Sequence, residues 1–197
     1  MNRTLLLASS SPYRKQLLER LRLPFNCASP DIDESPRPGE PANELAVRLA
    51  TQKAEALARQ NPNTLIIGSD QVATLPDGTL LNKPGSHAQA SDQLARSSGQ
   101  SVQFLTGLAV LDTKNSKLRT HCEQFNVHFR ILSAEEIEGY LKKEQPYDCA
   151  GSFKMEGLGI TLFRKLEGRD PNSLIGLPLI ALTNILREAG LNPLLAP

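Results

Sequence analysis

The five residues Thr64-Leu65-Ile66-Ile67-Gly68 constrain the fold of this chain most. An apolar, β-branched run of that length reads as a buried strand, and strands of this kind belong to α/β sheets covered by helices. Ser69-Asp70-Gln71 follows at the point where such a strand emerges. Open α/β sheets bind ligands in the crevice outside the carboxyl ends of their strands, so Asp70 is the first candidate for chemistry. The alternative is a carboxylate that only caps a turn.

Around that strand the hydrophobic period switches repeatedly between two and 3.6. Strands are expected at residues 4–8 and 25–29, and helices at 12–23 and 42–60. The stretch 31–41 mixes Asp31, Asp33, Glu34 and Glu40 with Pro36, Pro38 and Pro41, which makes it a loop. Residues 72–75 continue the central strand, and Pro76-Asp77-Gly78 turns it into a hairpin with 79–81. A helix follows over 86–97, then two long strands at 102–111 and 118–131 joined through Lys114-Asn115-Ser116. Ser133 and Glu136 form a capping box for a helix reaching about residue 143. A strand at 159–163 and a helix at 177–189, ended by Gly190, complete the reading. Crossovers and hairpins together require a mixed sheet, which argues against a pure Rossmann fold. No linker or repeat interrupts the chain, so 1–197 reads as a single domain.

Composition removes several classes of function. The formal charge is +1, from 22 basic and 21 acidic side chains, which suits neither a nucleic-acid backbone nor an anionic membrane. Aromatic residues make up 5% of the chain, too few for the stacking platforms of a single-strand RNA reader. After Arg3 only Leu5-Leu6-Leu7-Ala8 precedes polar Ser9, far short of a signal peptide or membrane span, so a cytoplasmic protein is expected. Cys27, Cys122 and Cys149 form no metal or redox pair and are expected as small core residues. The three histidines lack ligand spacing as well, and His128 is expected to face solvent.

Four constellations carry chemistry. Ser9-Ser10-Ser11-Pro12-Tyr13-Arg14 joins a strand to a helix, with Ser11 as N-cap and Pro12 at the first helical position. Free backbone N–H groups, serine hydroxyls and the Arg14 fork there make an anion cradle or a plain capped helix. Lys53 falls inside the inward stripe of its helix, between Ala50 and Leu57, where a lysine either snorkels out or meets an anion. Lys83, in Asn82-Lys83-Pro84 after the hairpin, is a second cation or a solvated loop residue. Asp31, Asp33 and Glu34 offer hard oxygen ligands for a divalent cation shared with substrate phosphates, or a solvated acidic loop. No P-loop is present, and Gly157-Leu158-Gly159 is only a fragment of the dinucleotide fingerprint.

In order and spacing, Ser9-x-Ser11-x-x-Arg14, Asp33-Glu34, Lys53-Ala54, Gly68-Ser69-Asp70 and Lys83-Pro84 resemble the motifs of the Maf family of nucleoside triphosphate pyrophosphatases. The resemblance runs from Leu5 to about Pro193. The segments 66–72, 149–157 and 167–172 look like the branch that hydrolyses 7-methyl-GTP. The branch acting on dTTP and UTP usually has arginine at Tyr13, threonine at Gln71 and glutamine at Glu156; the methyl-GTP branch commonly has tryptophan at Tyr13.

The resemblance implies an α/β protein with a twisted mixed sheet flanked by helices, two-lobed with a central cleft, similar to inosine triphosphatase and often a homodimer. It also implies release of pyrophosphate from a nucleoside triphosphate with help from a divalent metal, magnesium or manganese. In that scheme Ser9, Ser11 and Arg14 hold the triphosphate, and Lys53 and Lys83 neutralise developing charge. Glu34 and Asp70 lie near the metal, with Asp70 as water-activating base, metal ligand or both.

Base choice would rest on Tyr13, Gln71 and Glu156. N7 methylation makes guanine cationic, so an aromatic face at Tyr13 gains about 0.5–2 kcal/mol of cation–π energy. A carboxylate at Glu156 accepts from guanine N1–H and the exocyclic amine, at about 1.5–3 kcal/mol per bond. Gln71 either fixes the ring edge or faces solvent. The competing class is a nucleotide-binding regulator, for example of cell division, that uses the same cradle without turnover.

Overall fold

The structure, a computed structural model, describes residues 3–195. Six strands form one mixed sheet: β1 (Thr4–Ala8), β2 (Asn26–Ala28), β3 (Thr64–Thr74), β4 (Ser101–Asp112), β5 (Lys117–Phe129) and β6 (Phe163–Gly168), in the order β2-β1-β3-β4-β5-β6. β1 runs parallel to β2 and β3, while β5 and β6 are antiparallel. The helices are α1 (Pro12–Glu19), α2 (Ala42–Ala56), α3 (His87–Ser97), α4 (Ala134–Glu144), α5 (Pro171–Ile175) and α6 (Leu179–Glu188).

The chain gathers into two compact units. The first comprises 3–70, 106–123 and 170–195 of the described residues, the second 71–105 and 124–169. In the first, the alternation of side chains along β1 and β3 gives the sheet two apolar faces. Leu5, Leu7, Leu65 and Ile67 join Leu17, Leu18, Leu182 and Leu186 from α1 and α6. Leu6 and Ile66 point the other way, with Ala50 and Ala54 of α2. Each leucine buried in this way contributes roughly 1.5–3 kcal/mol.

The α2 face is lined by small residues, and this is what lets the helix approach. A Cβ at Gly68 would run into the Ala50 carbonyl oxygen, and one at Gly107 into that of Ala46. Glycine in a strand interior has this use where another backbone comes close.

In the second unit, Phe153 stands at the centre of an aromatic cluster. It meets Phe104, Phe129 and Phe163 edge-on at centroid distances of 5.3, 5.8 and 4.7 Å. The capping box of α4 forms as the sequence predicts, and a bridge between Thr74 and Leu80 closes the expected hairpin.

Several expectations are corrected. β3 does not end before Ser69; it runs unbroken to Thr74, because residues 64–70 are all buried and nothing turns the chain. α1 stops at Glu19 rather than residue 23, and Arg22 is left-handed. α2 gives way to a 3-10 turn at Ala58–Gln60. The apolar stretch 159–163 is mostly a 3-10 turn (Leu158–Leu162), and the strand is the charged segment after it. None of the three cysteines is buried, and Cys27 is exposed on the three-residue edge strand β2. His128 is half-buried and lies 3.0 Å from Glu167 on the adjacent strand.

Candidate functional site

The register Leu7↔Ile67 and the end of β1 at Ala8 explain how a residue in mid-strand comes to line a crevice. β3 continues past its neighbour, so Asp70 lies beyond the carboxyl end of β1. The order β2-β1-β3 also makes this a topological switch point, since the chain leaves β1 toward one side and returns on the other. Asp70 shares the face of β3 that carries Ile66 and Gly68, against which α2 is packed. Lys53 stands three residues after Ala50, within a turn of the Gly68 contact.

Lys53 therefore does not snorkel. It is 6% exposed, and its Nζ donates to Asp70 Oδ1 at 2.6 Å and pairs with Glu34 Oε1 at 2.7 Å. Three of the predicted residues, from a loop, a helix and a strand, thus meet at one ammonium. Arg14 belongs to the same neighbourhood. Burial of its guanidinium among protein atoms lowers its pKa even though part of its surface stays open, while the charges of Asp70 and Glu34 act to raise it.

The turn before α1 is tied by its own serines. Ser9 Oγ accepts from the Ser11 backbone N–H at 3.1 Å, and Ser11 Oγ accepts from that of Arg14 at 3.4 Å. Both hydroxyl protons remain able to donate to a ligand oxygen. Arg14 Nε donates to the Gly176 carbonyl at 2.9 Å. Ser69, on the opposite face of β3 from Asp70, has one hydroxyl proton to share between that same carbonyl, at 2.9 Å, and Gly107 O, at 2.8 Å. Gly176 has φ +123°, and a Cβ there would press on Arg14 Nε at 3.2 Å, so only glycine serves. The segment carrying it is pinned by fully buried Asp170, whose carboxylate accepts from the N–H groups of Asn172 and Ile180.

The acidic loop divides its labour. Asp31 is exposed; Asp33 accepts from the Ser35 N–H at 2.9 Å, and hydrogen bonds from the Ser35 side chain first and its backbone second hold the Asp33 carboxyl below the usual range. Glu34 reaches Lys53 while staying 56% exposed. What holds the loop is an ion pair the sequence did not single out. Arg48 of α2 grips Glu40 through Nε and Nη2, at 2.5 and 2.7 Å, and donates to the Ser35 carbonyl at 3.0 Å. The bidentate pair drives Glu40 down to about 2, helped by the Arg37 N–H. Arg48 stands five residues before Lys53 on the same helix and Glu40 looks like any loop acid, so neither stood out. Ser69 and Asp170 lie in segments that carry the resemblance, but their roles, like that of Gly176, were hidden because their partners include residues distant in sequence.

Tyr13 is half-buried on α1. Gln71 is the first residue of the second unit; Lys83 lies exposed in the loop before α3, and Glu156 exposed on a turn. Cys149, also in the second unit, is pushed up to about 12 chiefly by burial and remains a thiol at neutral pH.

Among the described residues no group of three or more His, Cys, Asp or Glu could hold a metal ion. The donor set on offer is Asp70 and Glu34. Two carboxylates suit magnesium, which keeps several waters and takes the remaining oxygens from substrate phosphates. Nor is any described helix long and apolar enough to cross a membrane.

Among solved structures the chain is similar to the Ham1 protein of Staphylococcus aureus, with 14% identity, a TM-score of 0.47, and coverage of 64% of this chain and 71% of that one. The family model described as Maf-like protein matches residues 4–189, a span that takes in every element from β1 to α6, and the chain therefore belongs to the Maf-like protein family.

Proposed function

We propose that the protein hydrolyses nucleoside triphosphates to the monophosphate and pyrophosphate, with 7-methyl-GTP as its preferred substrate. The observation that carries the reaction class is the meeting of Asp70 and Glu34 on the Lys53 ammonium, with Arg14 alongside, in a member of the Maf-like family. Two cations and two carboxylates at a sheet switch point suit the handling of a polyphosphate, whose transfer to water depends on positioning and charge stabilisation.

In this reading Ser9, Ser11 and the free end of the Arg14 fork hold phosphate oxygens. Asp70, oriented by Lys53, takes the proton of the water that attacks the α-phosphorus. As the new P–O bond forms, the bond to the β-phosphate oxygen breaks, and Lys53 and Lys83 stabilise the charge passing to pyrophosphate. A divalent cation held by Asp70 and Glu34 supplies a Lewis acid at the phosphates when it is bound. The preference for a methylated base rests on Gln71 and Glu156, which match the methyl-GTP branch, on Tyr13, an aromatic residue where that branch commonly has tryptophan, and on the cation–π and carboxylate chemistry they offer.

The test is an assay of the protein with magnesium and a panel of nucleotides, measuring both pyrophosphate and orthophosphate. Pyrophosphate as first product, fastest from 7-methyl-GTP, is expected. Orthophosphate as first product would move the protein to another reaction class, and binding without turnover would make it a regulator. Glu156→Gln should lower turnover of 7-methyl-GTP far more than that of pyrimidine triphosphates.

A further inference from the structure

The loop that carries Lys83 is held from both sides by groups of the second unit. On its near side, Gln93 of α3 donates from Nε2 to the Asn82 carbonyl at 2.9 Å. The same amide accepts through Oε1 from Ser152 Oγ at 2.6 Å. The orientation of the amide is not arbitrary: a carbonyl can only accept, so the nitrogen must face Asn82 and the oxygen is left for the serine hydroxyl.

On the far side, the Gly85 N–H donates to the Tyr147 carbonyl at 2.9 Å. The Tyr147 hydroxyl meets His87 Nδ1 at 2.9 Å, and His87 Nε2 meets Glu138 at 2.8 Å. Pro84 is buried and restricts the backbone of Lys83 to extended conformations.

Ser152 gives the arrangement its distinctive mark. It is fully buried with φ +62°, directly after Gly151 at φ +74°. A non-glycine residue in the left-handed region costs roughly 1–3 kcal/mol and persists where its surroundings over-determine it. Its hydroxyl is spent on Gln93.

We propose that Gln93, locked by Ser152, is a positioning residue for Lys83. Fixing the carbonyl immediately before Lys83 restrains the backbone that carries its side chain. The inference rests on the reading that Lys83 serves turnover, and the experiment separates the two.

Gln93→Leu removes both bonds at similar volume. Amide hydrogen exchange should rise at Asn82, Lys83 and Gly85, and kcat on the best nucleotide of the panel should fall by about ten- to a hundredfold, the scale of a misplaced group. KM should change little. In a Lys83→Ala background, Gln93→Leu should cause no further loss. Ser152→Gly, which relieves the backbone and removes the whole hydroxymethyl group, should shift exchange and kcat in the same direction by less, and it carries the test if Gln93→Leu does not fold.

Unchanged exchange at 82–85 overturns the proposal. So does a Gln93 effect that is as large without Lys83 as with it, which a merely structural role would produce. If Lys83→Ala retains full turnover while Gln93→Leu loosens the loop, the anchor stands and the role given to Lys83 is what falls.

Discussion

Asp70 meets the buried Lys53 ammonium beyond the end of β1, and its replacement is the sharpest test of the proposed chemistry. Asp70→Asn keeps the shape and one acceptor for Lys53 but removes the charge that would take a proton from water or hold a cation. Turnover should fall about 100- to 10,000-fold, with the melting temperature measured beside it to show that the fold is kept. Near-normal rates in the folded variant would remove Asp70 from the chemistry. The sequence made this residue conspicuous for a reason that was partly mistaken. The strand does not end there; the crevice belongs to β1, which stops at Ala8 while β3 runs on to Thr74. A periodic pattern can reveal a buried strand, but not where a neighbouring strand stops. The stranger position of Lys53 was legible as a choice between snorkelling out and meeting an anion, and the structure gives it two carboxylates.

At the scale of elements, what placed the acidic loop was invisible in the sequence, because Arg48 and Glu40 belong to a helix and a proline-rich segment with no shared period. Their pairing has a pH signature. The Glu40 carboxyl is depressed from 4.5 to about 2, so its contribution to stability is fully present above the ordinary value and disappears as pH falls from about 4.5 toward 2. Urea unfolding across that window should show wild type losing stability that Glu40→Gln lacks at every pH. Equal slopes in the two proteins would show that the pair does not hold the loop. The close approach of α2 to β3 gives a second prediction. Gly68→Ala places a methyl group against the Ala50 carbonyl, and overpacking of this kind costs about 1–3 kcal/mol, read as a lower urea midpoint. Capping box, hairpins and proline loop were legible because each is written in adjacent residues. The strand at Phe163–Gly168 was not, since an edge strand carries charge in place of an apolar run, here Arg164, Lys165 and Glu167. The five-residue α5 is too short to show a period at all.

For the whole molecule, the pair of carboxylates predicts how metal enters. With no larger donor group among the described residues, the cation should arrive with the nucleotide and contribute nothing to the fold of the free protein. A chelator should therefore abolish turnover while leaving the melting temperature of the nucleotide-free protein unchanged. A fall in melting temperature would point to a resident structural ion. The fold class was legible from the alternation of strands and helices. Two lobes were implied by the family resemblance, but which residues compose each unit was not legible, because each is assembled from separated segments of chain. The bond from Arg14 to Gly176 spans 162 residues, and that from Ser69 spans 107. At a synthesis rate of about 5–20 residues per second, Arg14 joins the chain roughly 8 to 32 seconds before the carbonyl that will aim it exists. The first part of the site to be translated is thus among the last to be finished, and a nascent chain stalled short of Gly176 carries every charged residue named in the proposed chemistry but not the means to hold Arg14 in place.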